Sequence, residues 1–105
     1  MDNIVTRIIK TVYERIAALG DLFKKRNKEY GDDYKHHGYV MMGYLPNGIT
    51  LTTASDFNRY AIYMMMVAKM GRYGKNFDLG GHEDSLNDIA VYAMMLAELD
   101  DRERL

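Results

Sequence analysis

The chain has 105 residues, 14 of them basic and 15 acidic, for a formal charge of −1; this length suits one domain with one core, and the charge offers no global field to hold a nucleic-acid polymer or an anionic membrane. It contains no cysteine, which excludes disulfides, thiolate zinc ligands and thiol nucleophiles. The start, Met1-Asp2-Asn3, lacks a basic, then apolar secretory signal, and no stretch reaches the roughly 18 apolar residues of a membrane span, so the expectation is a single helical domain over 1–105, cytoplasmic, without a membrane or nucleic-acid partner.

From Asn3 to Tyr30, Val5, Ile8, Ile9, Val12, Ile16, Leu19 and Phe23 recur at three- and four-residue steps, the period of one helical face. A long helix is expected there, capped by Asp2 and stopped at Gly31, with Gly20 as the place where it would bend or break. The next stretch, Asp32 to Thr53, reads as a connector. It contains a turn at Tyr44-Leu45-Pro46-Asn47-Gly48 and a short helix over Lys35–Tyr44.

Thr53 to Asn76 reads as a second long helix, capped by Thr53 or Ser55 with Asp56 in its first turn. Its apolar residues nearly encircle it: Phe57, Tyr60, Ala61, Met64, Ala68 and Gly71 form one stripe, and Tyr63, Met66, Met70 and Tyr73 lie opposite. Both sides want partners, which predicts a homo-oligomer. After a Phe77–Gly81 loop, a third long helix is expected from about His82 to Asp101, with a core stripe of Leu86, Ile89, Ala90, Ala93, Leu96 and Ala97 and a fraying charged tail from Asp100. The fold class is therefore all-α: three long helices plus a short connector helix, a helical bundle completed by oligomerisation.

Polar constellations sit at particular places on these helices. Asp84 and Asp88, four residues apart, share one face of the last helix, where they can share a hard cation or pair with Lys69 or Arg72 of the preceding helix. Lys69 and Arg72 occupy neighbouring positions from which to grip one phosphate or a carboxylate pair. Arg59 is rotated well away from them, so it is expected either to pair locally with Asp56 or to complete a site across a subunit boundary. Glu29 and Asp32 form a second acidic cluster around Gly31. His36 and His37 point in different directions and His82 is isolated, which argues against a three-histidine metal site. Ser85 has nearby His82 but no full partner set for a hydrolytic serine, and no Gly-rich phosphate loop or dinucleotide fingerprint is present.

Three motifs in order carry a resemblance: Asn27-Lys28-Glu29-Tyr30-Gly31-Asp32; Asp56-Phe57-Asn58-Arg59 leading to Lys69-Met70-Gly71-Arg72-Tyr73; and Gly81-His82-Glu83-Asp84-Ser85-Leu86-Asn87-Asp88-Ile89-Ala90-Val91-Tyr92-Ala93. Together they resemble small phage-encoded helical proteins related to the nucleotide-modification-associated domains and, more remotely, the MazG-like all-α nucleoside triphosphate pyrophosphohydrolases. The resemblance implies an oligomeric helical bundle that handles a nucleotide's phosphates inside an infected host cell. In the pyrophosphohydrolases, a Glu-x-x-Glu pair and a Glu-x-x-Asp pair hold magnesium. Here Glu83, Asp84 and Asp88 approximate the second pair, while no Glu-x-x-Glu exists and Glu29 with Asp32 is only a stand-in.

Three readings are carried forward. The first is an oligomer that holds a nucleotide, including a cyclic or ADP-ribose-type immune signal, with Arg59, Lys69, Arg72, Tyr73 and His82 as its ligand-binding set. The second is a magnesium-dependent pyrophosphohydrolase using Glu29, Asp32, Asp84 and Asp88. The third is an inhibitor that binds a host enzyme through its methionine-rich surface.

Overall fold

The computed structural model describes residues 9–105, apart from the side chains of Glu29 and Tyr30. The described part is all-α: helix α1 (Val12–Tyr30), helix α2 (Asp33–Tyr44), helix α3 (Ala54–Lys75), a 3₁₀ turn (Phe77–Leu79) and helix α4 (Glu83–Glu103). These are the three long helices and the shorter connector that periodicity predicts. The chain divides into two compact units, Met1–Asp33 and Tyr34–Leu105.

The described residues of the first unit are dominated by α1. The expected continuous helix from Asn3 does not form, because Ile9, Lys10 and Thr11 are not helical; the Asp2 cap lies outside the described residues. Thr11 starts the helix instead. Its hydroxyl accepts the Glu14 N–H at 3.1 Å, and the Glu14 carboxylate takes the Thr11 hydroxyl at 3.0 Å and backbone N–H at 3.5 Å, a reciprocal box that satisfies otherwise orphan donors. Gly20 does not break α1; the helix runs through it, the cost of a helical glycine being only ~1 kcal/mol. The end comes where expected, at Gly31, which takes φ +63 while its N–H reaches Asn27 O at 2.8 Å.

In the second unit, the connector turn closes through Gly48 N–H to Leu45 O at 3.0 Å, with Pro46 in the position where its fixed φ favours the turn. Thr53 then caps α3 as read from sequence. Its hydroxyl accepts the Asp56 N–H at 3.0 Å, and the Asp56 carboxylate receives the N–H groups of Thr52 and Thr53, both at 3.1 Å. These backbone donors, Thr52 first and then Thr53, hold the Asp56 carboxyl below its ordinary pKa of 3.8.

Helices α3 and α4 pack against each other as an antiparallel hairpin. The direction is fixed by three cross-pairs that step down the two helices in opposite senses: Ser55 with Glu103, Arg59 with Asp100, and Lys69 with Asp88. On α3, Val67 is buried and Tyr60, Tyr63, Met64, Met66 and Tyr73 are half-buried, whereas Phe57, Ala61, Ala68, Met70 and Gly71 are exposed, so the covered side takes residues from both predicted stripes. On α4 the seam runs through Ser85, Ile89, Tyr92, Leu96 and Leu99. Leu86, Ala90 and Ala97, expected in the core, are exposed instead, because one neighbouring helix covers only one stripe of α4.

The tail also differs from expectation. Helix α4 continues to Glu103 rather than fraying from Asp100. Three carboxylates in the last turn, Asp100, Asp101 and Glu103, oppose the helix dipole; Arg59 from α3 answers Asp100 with a 2.8 Å contact, Ser55 donates to Glu103, and Arg104 pairs with Asp101. Among the described residues, Val67 is the only hydrophobic side chain that is buried, at 7% exposure, and Ser85 the only buried polar one, at 0%.

Candidate functional site

The closed end of the hairpin gathers most of the side chains singled out as ligand-binding. Asn76 caps the end of α3, its side-chain amide donating to Arg72 O at 2.8 Å. Gly80 and Gly81 then turn the chain with φ +97 and +91, values that side chains on other residues disfavour. This brings Gly81 against the Tyr73 ring, where an added Cβ would lie 3.4 Å from Cε2. Tyr73 also meets Phe77 edge-on, with ring centroids 6.4 Å apart.

His82 follows and caps α4. Its Nδ1 accepts the Ser85 N–H at 3.2 Å and lies 2.6 Å from Ser85 Oγ. A nitrogen that accepts the backbone proton carries none itself, which makes the Ser85 hydroxyl a donor too and places the ring proton on Nε2. This serine–histidine contact is a helix cap. Ser85 is fully buried, so its hydroxyl cannot reach a substrate as a nucleophile.

One turn further on, Lys69 Nζ lies 2.9 Å from Asp88 Oδ2, the lysine side chain 22% and the aspartate 45% exposed. That is the cross-helix pairing weighed above for this carboxylate. Arg72 is half-buried, one helical turn beyond Lys69. Lys69, Arg72, Tyr73 and His82 are thus held at one end of one hairpin.

Arg59 stands apart. It belongs to the open end, where its Nε donates to Asp100 Oδ1 at 2.8 Å, and it lies ten residues from Lys69 along α3, about 15 Å at 1.5 Å per residue. Its expected local partner, Asp56, is turned to the Thr52 and Thr53 amides. Ser55, read from sequence only as a possible cap, and Asp100 and Glu103, read only as tail, carry no pairing role in the sequence reading, and their contacts span 41 and 48 positions, beyond the reach of any local spacing rule.

The four carboxylates expected around magnesium divide between the units. Asp32 belongs to the first, where Asn27, its amide nitrogen turned toward it, donates to Asp32 Oδ1 at 3.1 Å; the Glu29 side chain lies outside the described residues. In the second unit, Asp84 is exposed in the first turn of α4 and Asp88 is engaged by Lys69. Among the described residues, no three of histidine, aspartate and glutamate converge as metal ligands.

Among the described residues, no helix is long and apolar enough to cross a membrane. In comparisons with known proteins, no family model, curated protein or solved structure matches this chain.

Proposed function

We propose that the chain is a nucleotide-binding protein that works as a homo-oligomer, taking the ligand's phosphates at the closed end of the α3–α4 hairpin. One observation carries the reading: Lys69 and Arg72, two cations a turn apart on α3, sit at the same end as Tyr73 and His82. Neighbouring lysine and arginine suit a phosphate, the arginine by its planar fork. The Lys69–Asp88 contact is partly exposed, and ion pairs of that kind contribute only ~0.2–1 kcal/mol, so a dianionic phosphate can draw the lysine from it. Tyr73 supplies an aromatic edge for a base.

The family resemblance supports the same reading and suggests signalling nucleotides among the ligands. Support for oligomerisation is separate: a hairpin with one buried hydrophobic side chain among its described residues has little core of its own, burial of such a side chain being worth ~1.5–3 kcal/mol. A magnesium-dependent hydrolase draws less support, because Asp88 is engaged by a lysine.

The test is thermal unfolding in EDTA against a panel of nucleoside mono-, di- and triphosphates, cyclic dinucleotides and ADP-ribose derivatives. At least one should raise the melting temperature, as any ligand that prefers the folded state does, and Arg72→Ala and Lys69→Ala should each weaken that shift at unchanged helicity. A saturating panel that moves nothing sinks the proposal.

A further inference from the structure

Helix α1 carries an exposed apolar seam. Val12, Ile16, Leu19 and Phe23 step by four, three and four residues, the alternation that keeps one stripe facing a partner helix, and they are 73%, 64%, 61% and 53% exposed. At about 100° per residue all four fall within about 60° of arc, with Tyr13 and Gly20 along one edge of the seam and Arg15 and Leu22 along the other. Gly20 has no reason within its own chain. A glycine inside a helix costs about 1 kcal/mol against alanine, and among the described residues a Cβ added there would meet nothing within 4 Å.

A second copy supplies the reason. In an antiparallel pair, a two-fold axis crossing the seam midway between Ile16 and Leu19 sets Ile16 level with Leu19 of the other copy and Val12 level with Phe23, because the members of each pair are equally far from that midpoint. The same axis brings each edge of the seam against the same edge of the other copy. Tyr13 then lies about two residues, ~3 Å, from the level of Gly20 of the other copy, and Arg15 has the same offset from Leu22, where its aliphatic stem covers apolar surface. The largest side chain of one edge meets the smallest, and phenylalanine meets valine, the pairing of large with small that lets facing layers interdigitate. Charge selects the same direction. Lys24, Lys25, Arg26 and Lys28 crowd the C-terminal half of α1; a parallel pair would set these runs side by side, whereas an antiparallel pair keeps them at opposite ends and opposes the helix dipoles. Val12, Tyr13, Ile16, Leu19, Leu22 and Phe23 of two copies bring together roughly 1,000 Å², the size a specific interface needs.

We propose that α1 binds α1 of a second copy in an antiparallel pair, about a two-fold crossing the seam between Ile16 and Leu19, with Tyr13 of each copy seated over Gly20 of the other. The surface is isologous, the same patch on both subunits, as a closed two-fold pair requires. This inference rests on the self-association proposed above and not on nucleotide binding.

Sedimentation velocity on the full chain over a wide concentration range tests it. The wild-type chain should associate into an even-numbered species. Gly20→Tyr should weaken association on the order of tenfold, the usual scale for overfilling a packed contact, although tyrosine suits a helix better than glycine. Tyr13→Gly should weaken it by a comparable factor, because the edge is then left unfilled. Their combination exchanges the two residues, keeps one glycine in the helix, and should restore most of the association, which no general loss of helix can do. Ile16→Glu should at least halve the size of the associated species, with helicity by circular dichroism retained. A wild-type chain that stays monomeric overturns both this surface and self-association. An associating wild type whose Gly20→Tyr or Ile16→Glu variant behaves like it, or whose exchanged variant stays weak, overturns this surface alone.

Discussion

At the open end of the α3–α4 hairpin, Arg59 and Ser55 reach across to Asp100 and Glu103, and charge holds together two helix termini far apart in the chain. At the closed end the chain itself makes the connection: two glycines at positive φ, a tyrosine against Gly81, and a histidine capping a buried serine. Lys69 and Asp88 form an ion pair there as well, but the geometry of that end does not depend on it. The comparison teaches that the same salt-bridge chemistry is structural where it is the tie between the helix ends and replaceable where backbone conformation already sets the approach. Lys69 is thus free to serve another anion at little structural cost, while Arg59 is committed.

The largest effect should come from breaking the closed end at its backbone. Gly81→Ala places a side chain at φ +91 and is expected to cost about 1–2 kcal/mol in urea unfolding, the usual penalty for a left-handed conformation. Gly80→Ala should cost a similar amount, because the Cβ at Gly81 meets Tyr73 only at an ordinary contact distance of 3.4 Å. If Gly81→Ala is neutral, the turn is not what sets this end.

A smaller effect sharpens the contrast between the two ion pairs. Arg59→Ala should lose about 0.5–1 kcal/mol and speed amide hydrogen exchange across Asp100–Glu103, since that turn loses its anchor. Lys69→Ala should leave exchange in those residues unchanged. Equal loosening of the last turn by both variants would erase the distinction drawn between the ends.

The smallest effect is electrostatic and belongs to the start of α3. The folded Asp56 carboxyl sits below its ordinary pKa because it accepts the Thr52 and Thr53 N–H groups, so it binds its proton less readily than in the unfolded chain. Its contribution is present above the ordinary carboxylate value of 3.8 and fades as the pH falls through the lowered one. Asp56→Asn should therefore flatten the acid limb of the stability profile below about pH 4. An unchanged acid limb would show that the cap carries no such dependence.

The features legible in sequence were those decided within a few residues. Thr53 with Asp56, Gly31 at φ +63, and the Pro46 turn all obey rules that span four or five positions. Thr11 with Glu14 obeys the same rule, but it lies inside an apolar repeat running unbroken from Val5 to Phe23, and the periodicity masked the boundary. The seam of α4 was illegible for a different reason: with apolar residues on every side from Ile89 to Ala97, no period marks which stripe faces α3. At the candidate site, Lys69 with Asp88 could be foreseen because two neighbouring helices carry complementary charges. Arg59 with Asp100 could not, because 41 residues separate them and the nearer Asp56 offered an apparent partner.

The glycine turn also bears on the order in which this hairpin assembles. Once Gly80 and Gly81 have reversed the chain and Tyr73 has met Gly81, the pairs at Lys69, Arg59 and Ser55 each close only the short loop left by the pair before. Loop-closure entropy rises slowly with length and is met chiefly at the first contact, and local connectivity of this kind is what makes helical hairpins fast. The hairpin is expected to zip from the glycines outward, in which case native-state hydrogen exchange finds the Ser55–Glu103 end opening first.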